Sequence, residues 1–261
     1  MKNRPVALLT NDDGIRSHFL HALAAAMARH FEVVVAAPAR EQSWIGRALS
    51  RRREVSVESA DFDGFRAWAI DGTPSDCVNI ALAHLVETPP QVVVSGINIG
   101  YNTTLPLLYS SGTVAGALEG ANWGLPALAV SQQVPEGSFE AITSAAGKLP
   151  PELGESLHAG AQLAAAHACR LVETPPLPLR VHNLNFPMPV SMETPWETTV
   201  PAHVRMPGLF VETAPGRYRF GFSEGLKVAG ERGPTDREAI FAGRVSLSIL
   251  NFSGVAESKG V

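Results

Sequence analysis

Short apolar runs alternate with amphipathic segments along the first half of the chain, and each run stops at polar or turn-forming residues. Four runs are five to seven residues long: Pro5–Thr10, Glu32–Pro38, Gln91–Ser95 and Pro126–Ser131. Their length and apolar content predict strands buried on both faces. After the first run, an apolar stripe at helical spacing comprises Leu20, Leu23, Ala24 and Met27. The alternation predicts an α/β fold with a mostly parallel sheet covered by helices.

Capping residues predict where several helices begin. Thr73 can cap a helix whose third position is Asp76, and this helix is expected to end near Leu85. Ser17 and Ser111 precede apolar-periodic segments and are the expected caps of two further helices.

Other segments of the core show less regular patterns. Ala39–Arg53 is polar and predicts a loop, whereas Glu54–Ile70 has the composition of strands. Gly96–Gly100 is expected to be the loop that follows the third strand. Arg180–Phe186 predicts a later strand of the sheet.

The C-terminal part differs from the core in composition. Residues 187–233 have little helical periodicity and many Pro, Gly and β-branched residues, which predicts a β-rich extension or arm. In residues 234–251, a capping box at Thr235 predicts a returning helix, and alternation predicts a strand after it. We therefore expect one domain over residues 1–261, with its core in residues 1–186.

Composition excludes several classes of function. The 261 residues carry a net charge of -4, which gives no electrostatic footprint for duplex nucleic acid or a membrane surface. No apolar stretch approaches the roughly 20 residues of a membrane span, and the apolar run near the N-terminus is too short for a signal peptide. Cys77 and Cys169 lack the spacing of a zinc site or a disulfide framework. A cytoplasmic location is expected.

Polar side chains follow the predicted strands where the sheet should bind a ligand. They are Asn11, Asp12 and Asp13 after the first strand, Ser43 after the second, Asn98 and Asn102 after the third, and Ser111, Gly112 and Thr113 at a helix start. The carboxyl ends of parallel strands meet at one edge of a sheet, so we expect these residues to converge.

The adjacent carboxylates of Asp12 and Asp13 repel each other unless a positive group lies between them. A hard divalent cation, magnesium, manganese or calcium, prefers such oxygen ligands. Ser43 and Asn98 can add neutral oxygens. The alternative is an ordinary turn, because Asn-Asp-Asp-Gly is also favourable turn chemistry.

The start of the helix at Ser111-Gly112-Thr113 offers backbone N–H groups and two hydroxyls, which suit an anion such as phosphate. The alternative is a simple serine cap. The chain has no GxGxxG after its first strand, no GxxxxGK[ST] and no GxSxG, which argues against dinucleotide, P-loop and serine-hydrolase sites.

Six segments together resemble the successive signatures of the SurE survival protein family of metal-dependent nucleotidases: LLTNDDGI, VVAAPAREQS, DGTPSDCVNIAL, VVVSGINIGYN, SGTVAGALEGANWGLPALAVS and TDREAIFAGRVSLSI. The resemblance implies a Rossmann-like three-layer sandwich with a β-rich C-terminal extension used in oligomer contacts. It implies hydrolysis of nucleoside 5′- and 3′-monophosphates with a divalent cation, manganese or magnesium. Homodimers or homotetramers are expected.

Residue roles follow from the resemblance by position. It makes Asp12, Asp13, Ser43 and Asn98 the metal ligands, with Asp12 and Asn98 also catalytic. It places Asn11, Asn102, Ser111, Gly112 and Thr113 at the phosphate. The chain departs from the family at Trp44–Ala48, where a small polar run is usual, and at Thr103–Pro106, which lacks acidic residues.

These observations support the hypothesis of a phosphomonoesterase, a 5′-nucleotidase or acid-phosphatase-like hydrolase. The attacking group is either a metal-activated water or the Asp12 carboxylate. The alternative function is a non-catalytic protein that binds nucleotides or phosphate on the same scaffold. A metal-dependent sugar transferase is disfavoured by the adjacent acids and the small size. The preferred nucleotide stays open.

Overall fold

The computed structural model describes residues 4–221, 226–227 and 233–256. Its strands are β1 (Val6–Thr10), β2 (Glu32–Pro38), β3 (Val57–Ser59), β4 (Arg66–Ile70), β5 (Val92–Ile99), β6 (Ala127–Gln132), β7 (Arg180–Phe186), β8 (Trp196–Thr199), β9 (Val204–Arg205), β10 (Phe210–Ala214), β11 (Arg217–Phe220), β12 (Leu226–Lys227) and β13 (Val245–Asn251). Its α-helices are α1 (His18–Met27), α2 (Pro74–Ile80), α3 (Leu105–Ser110), α4 (Gly112–Asn122), α5 (Phe139–Ser144), α6 (Pro151–Val172) and α7 (Asp236–Phe241). A π-helical turn, Ala81–Leu85, continues α2, and a 3-10 turn spans Ser253–Ala256.

A nine-stranded sheet with the order β3-β4-β2-β1-β5-β6-β7-β13-β8 forms the centre of the fold. The six strands from β4 to β7 in this order are parallel, whereas β3 runs antiparallel to β4 and β13 runs antiparallel to β7. The predicted Rossmann-like α/β class, with additional C-terminal strands, is confirmed.

Alternating residues of the central strands supply apolar cores on both faces of the sheet. Ala7 and Leu9 of β1 pack with residues of α1 and α6, whereas Val6 and Leu8 pack with α2. A third cluster joins α4 to β6 and β7. The predicted stripe of α1 is fully buried. Both faces of the central sheet are thus covered, as expected for strands made of continuous apolar runs.

Gly96–Gly100 is not the predicted loop, because β5 continues through Ile99. Beyond a register shift after Ser95, Asn98 and Ile99 pair with β6. A Cβ at Gly96 would lie 2.2 Å from the carbonyl oxygen of Val130, so glycine permits this close approach. The pairing extends the sheet toward the candidate site.

The remaining local predictions are partly confirmed and partly wrong. Glu54–Ile70 contains two short strands, β3 and β4, separated by a turn region. Ser17 occupies the N-cap of α1, but its hydroxyl makes no capping hydrogen bond. Thr73 and Asp76 form the predicted capping box. Helices α3 and α5 were not anticipated, because each spans only six residues and neither has the side-chain capping hydrogen bond that marks the equally short α7.

The predicted division into core, arm and returning elements stays a prediction. Within the predicted arm, β8 joins the main sheet beside β13, and β10 and β11 form an antiparallel hairpin whose residues are all exposed. Parts of this arm, residues 222–225 and 228–232, lie outside the described residues. No helix within the described ranges has the length and apolarity needed to cross a bilayer.

Helix α4 approaches the sheet through glycines spaced four residues apart, Gly112, Gly116 and Gly120. A Cβ at Gly116 would lie 2.8 Å from Ser95 Oγ, and one at Gly120 would lie 2.5 Å from the Cβ of Val93. Side chains at these positions would push the helix away from β1 and β5. The glycines therefore set the distance between α4 and the strand ends that carry the polar residues.

We predict that Gly120→Ala lowers the free energy of unfolding by about 1–3 kcal/mol, because the new methyl group overpacks against Val93. Gly154→Ala is the matched control, because nothing described beyond the nearby backbone of its own helix lies within 4 Å of its Cβ position. Its better helix propensity should raise stability by up to about 1 kcal/mol. Urea unfolding measures both, and a Gly120→Ala protein as stable as the wild type would contradict the packing argument.

Candidate active site

Asp12 is held by the first turn of α4. Its Oδ1 accepts a hydrogen bond from Thr113 Oγ1 at 2.8 Å, and its Oδ2 accepts one from the Thr113 backbone N–H at 3.1 Å. A Cβ at Gly112 would lie 2.7 Å from the Asp12 Cβ. Glycine at position 112 is therefore required for Asp12 to contact the helix start. Ser111 caps the helix, since its Oγ accepts from the Val114 N–H at 3.1 Å.

Asp13 connects the end of β1 to the end of β5. Its Oδ2 accepts a hydrogen bond from the Ile99 backbone N–H at 3.1 Å. The neighbouring Asn98 donates from its Nδ2 to the carbonyl oxygen of Gly100 at 3.0 Å, so its Oδ1 is the end of the amide that can act as a ligand. The extension of β5 thus brings Asn98 beside the carboxylates.

The Asn11–Gly14 segment is also a turn, as the alternative interpretation predicts. Asn11 Nδ2 donates to the carbonyl oxygen of Gly14 at 2.9 Å, and Gly14 has φ +93°. The Oδ1 of Asn11 is buried and has no hydrogen-bond partner in the described structure. A turn and a ligand site are therefore compatible here, because a buried unpaired acceptor calls for a donor or a cation.

The loop that carries Ser43 is fixed against the same edge. The backbone N–H of Gln42 donates to the carbonyl oxygen of Asp12 at 2.7 Å. The backbone N–H of Gly46 donates to the carbonyl oxygen of Ser110 at 2.9 Å. Ser43 itself is exposed, and its backbone N–H bonds Glu41 Oε1 at 2.7 Å. The structure therefore brings all four predicted loops to one edge of the sheet.

Asn102 is a buried hub rather than an open ligand in this arrangement. Its Nδ2 donates to Thr113 Oγ1 at 3.1 Å and to Ser131 Oγ at 2.8 Å, which uses both amide hydrogens. Its backbone is held by Asn183 and Asn185 of β7. Asn102 therefore positions Thr113, which in turn positions Asp12.

Sequence reasoning missed Asn183 and Asn185. The available signal was their alternation with apolar residues along a buried strand, in the segment His182-Asn183-Leu184-Asn185-Phe186. Buried amides in a core strand need partners, and both donate to the carbonyl oxygen of Asn102.

The two carboxylates meet no positive counter-charge in the part of the chain that the structure describes. Burial raises the pKa of Asp12 to about 6, and Glu41 adds to the increase, whereas the bonds from Thr113 oppose it. Burial also raises the pKa of Asp13 well above its usual range, with a further contribution from the charge of Asp12. Within the described ranges, neither aspartate forms an ion pair with Lys, Arg or His. An uncompensated buried charge is costly, so a cation would stabilise this pair.

The donor chemistry fits a hard cation. The described residues contain no group of three or more His, Cys, Asp or Glu side chains that could hold a metal ion. The set expected from the sequence is mixed: two carboxylates, the Ser43 hydroxyl and the Asn98 amide oxygen. All are oxygen donors, which suits magnesium, manganese or calcium rather than zinc.

Comparison with known proteins gives the family. The family model described as "Survival protein SurE" matches residues 7–206. The chain belongs to the SurE family. A protein named 5′-nucleotidase SurE from Synechococcus sp. (strain RCC307) is 49% identical over 128 residues, covering 48% of this chain and 46% of that one. The counterpart of the same name from Chlorobium chlorochromatii (strain CaD3) is 42% identical over 158 residues, covering 59% of this chain and 58% of that one.

The chain thus spans about half the length of the first curated SurE relatives that it matches. Structural similarity extends further. The crystal structure of the SurE protein from Aquifex aeolicus superposes with a TM-score of 0.72 at 27% identity, covering 95% of this chain and 93% of that one.

In this SurE chain, Glu119 of α4 anchors the Ser43 loop. Glu119 is buried, and its Oε2 accepts a hydrogen bond from Arg47 NH2 at 2.6 Å. Its Oε1 accepts from Asn79 Nδ2 at 2.9 Å. The same helix therefore holds Asp12 at its start and, two turns later, the loop that follows Ser43.

We predict that Glu119→Gln accelerates backbone hydrogen exchange in residues 42–47 by about tenfold, because a hydrogen bond to a charged group contributes roughly 1.5 kcal/mol to closing the loop. Glu87→Gln is the matched control, since Glu87 is exposed and lies 3.8 Å from Arg66. Mass spectrometry of deuterium uptake measures both. Unchanged exchange in Glu119→Gln would show that the loop is fixed by other contacts.

Proposed function

We propose that the chain is a metal-dependent phosphomonoesterase that hydrolyses nucleoside 5′- and 3′-monophosphates to nucleoside and phosphate. The observation that carries the proposal is the adjacent pair of buried Asp12 and half-buried Asp13, which meets no basic counter-charge among the described residues, at the edge where the loops after β1, β2 and β5 meet the start of α4. The names of the matching relatives, 5′-nucleotidase SurE, support the same activity.

Asp12, Asp13, Ser43 and Asn98 would hold the cation, manganese or magnesium. Bound there, the cation would neutralise charge on the phosphate oxygens. The residues of the chain hold the ligands in position. Thr113 fixes both oxygens of Asp12, and Asp13 is fixed by the Ile99 N–H, so the ligands need little reorganisation.

The phosphate would lie at the start of α4, beside Asn11 and Gly112. Gly112 has no side chain to block a phosphate, and the helix start favours negative charge. Ser111 and Asn102 act by holding this turn, through the cap at Val114 and the bond to Thr113. In this proposal Ser111 and Asn102 lie next to the phosphate and also fix the conformation of the turn that binds it.

Two attacking groups are compatible with the site, a water molecule in line with the leaving oxygen or the Asp12 carboxylate. Both oxygens of Asp12 already accept hydrogen bonds from Thr113, which favours a fixed ligand and therefore attack by water. Phosphorylated Asp12 trapped during turnover would instead establish the carboxylate as the nucleophile.

The proposal includes the cellular location and the oligomeric state of the enzyme. The cysteines Cys77 and Cys169 are free, which fits a reducing compartment and hence the cytoplasm. The exposed hairpin of β10 and β11 offers surface for a second copy of the chain, so we propose a homodimer or homotetramer.

We predict that Asp12→Asn lowers kcat/KM for adenosine 5′-monophosphate by at least about 100-fold, because it removes charge that the cation needs. Asp61→Asn is the matched control, since Asp61 is exposed on the loop after β3. Far-UV circular dichroism checks the fold of both. An Asp12→Asn protein that keeps its fold and full activity would contradict the proposal.

We predict that chelator-treated protein releases no phosphate from nucleoside monophosphates and that manganese or magnesium restores release. The measurement is inorganic phosphate over a panel of 5′- and 3′-monophosphates, with each cation added in turn. Binding of nucleotide without phosphate release at any cation would establish the non-catalytic alternative.

A further inference from the structure

Three exposed aromatic side chains lie around the Ser43 loop. Trp44 is 40% exposed, Tyr109 is 68% exposed and Phe220 of β11 is 42% exposed. The rings of Trp44 and Phe220 meet edge to face, with centroids 4.9 Å apart. Phe220 in turn meets the ring of Phe210 with centroids 6.0 Å apart. The hairpin thus supports Trp44 from the side of the arm.

Trp44 is tied to the candidate site on both sides along the chain. Two residues before it, the Gln42 N–H bonds the carbonyl oxygen of Asp12, and two residues after it, the Gly46 N–H bonds the carbonyl oxygen of Ser110. Trp44 also directly follows Ser43. Its backbone is therefore fixed between the carboxylates and the segment that leads into α4.

The backbone of Trp44 has φ +59°, in the left-handed region where a bulky side chain is uncommon. Glycine would occupy this conformation without strain. Strained residues of this kind concentrate at ligand sites, where a specific side chain is needed at a specific place. A tryptophan held here, at the rim of the candidate active site, therefore points to a role for its ring.

We propose that Trp44, supported by Phe220, is the platform on which the nucleobase of the substrate stacks. The inference rests on the proposed function: a phosphate at Asp12 and Gly112 leaves the nucleoside to extend over the rim. Every base has a π-face, so an aromatic platform favours nucleotides over sugar phosphates without a base and discriminates little among bases.

Two variants at position 44 test the platform. Trp44→Leu keeps an apolar side chain and removes the ring, whereas Trp44→Phe keeps a ring. We expect the ratio of kcat/KM for adenosine 5′-monophosphate to that for ribose 5-phosphate to fall roughly tenfold in Trp44→Leu, through KM, and to recover in Trp44→Phe. Tyr218→Leu, on the same exposed strand as Phe220, is the control for the hairpin and should keep the ratio.

A merely structural role would lower activity on both substrates equally, and an unchanged ratio in Trp44→Leu would overturn the proposal. A change of oligomeric state with an unchanged ratio would likewise overturn it and assign the aromatic cluster to contacts between copies.

Fluorescence separates this inference from the proposed function. The chain has four tryptophans, and we expect adenosine 5′-monophosphate to quench emission in the wild type but not in Trp44→Phe. Quenching that persists in Trp44→Phe would overturn the proposal that the base stacks on Trp44. A wild type that hydrolyses neither substrate would contradict the proposed function. The quenching result would still show whether the nucleobase stacks on Trp44.

Discussion

This end of the molecule depends on one constraint: buried Asp12 and half-buried Asp13 place two carboxylates side by side, with no basic counter-charge among the described residues. Asp12 and Asp13 are held by backbone and hydroxyl donors from α4 and β5, and no basic side chain of the described residues bonds them. Such donors orient the carboxylates but do not neutralise them, and burial raises the pKa of both. A bound cation would neutralise the carboxylates and so stabilise the folded protein.

The packing of the fold serves the same constraint. Glycines along α4 let the helix approach the sheet closely enough for Thr113 to bond Asp12. Asn102, anchored by Asn183 and Asn185, supports Thr113 from behind. The site is therefore built from rigid elements, with the Ser43 loop added at its rim and anchored through Arg47 and Glu119.

Local sequence patterns predict much of the fold. The capping box of Thr73 and Asp76, the buried runs and the apolar stripe of α1 depend on neighbours within a few residues, so they are visible in the chain. The family resemblance then placed the site residues by position. Their convergence at one edge follows from the parallel order of the strands.

Features that depend on distant partners were not predictable in the same way. The continuation of β5 through Gly96–Ile99 requires pairing with β6. The Asn102 hub joins residues more than 80 positions apart, and Glu119 meets Arg47 across 72 positions. In each case the partner is fixed only by the folded topology.

Cation binding to the folded protein tests the central claim most directly. Calorimetric titration of manganese into chelator-treated wild type and Asp13→Asn compares the sites without reference to turnover. We expect saturable binding to the wild type and at least about tenfold weaker binding to Asp13→Asn, which has lost a charged oxygen ligand. Equal affinity in the two proteins would show that Asp12 and Asp13 do not hold the metal together.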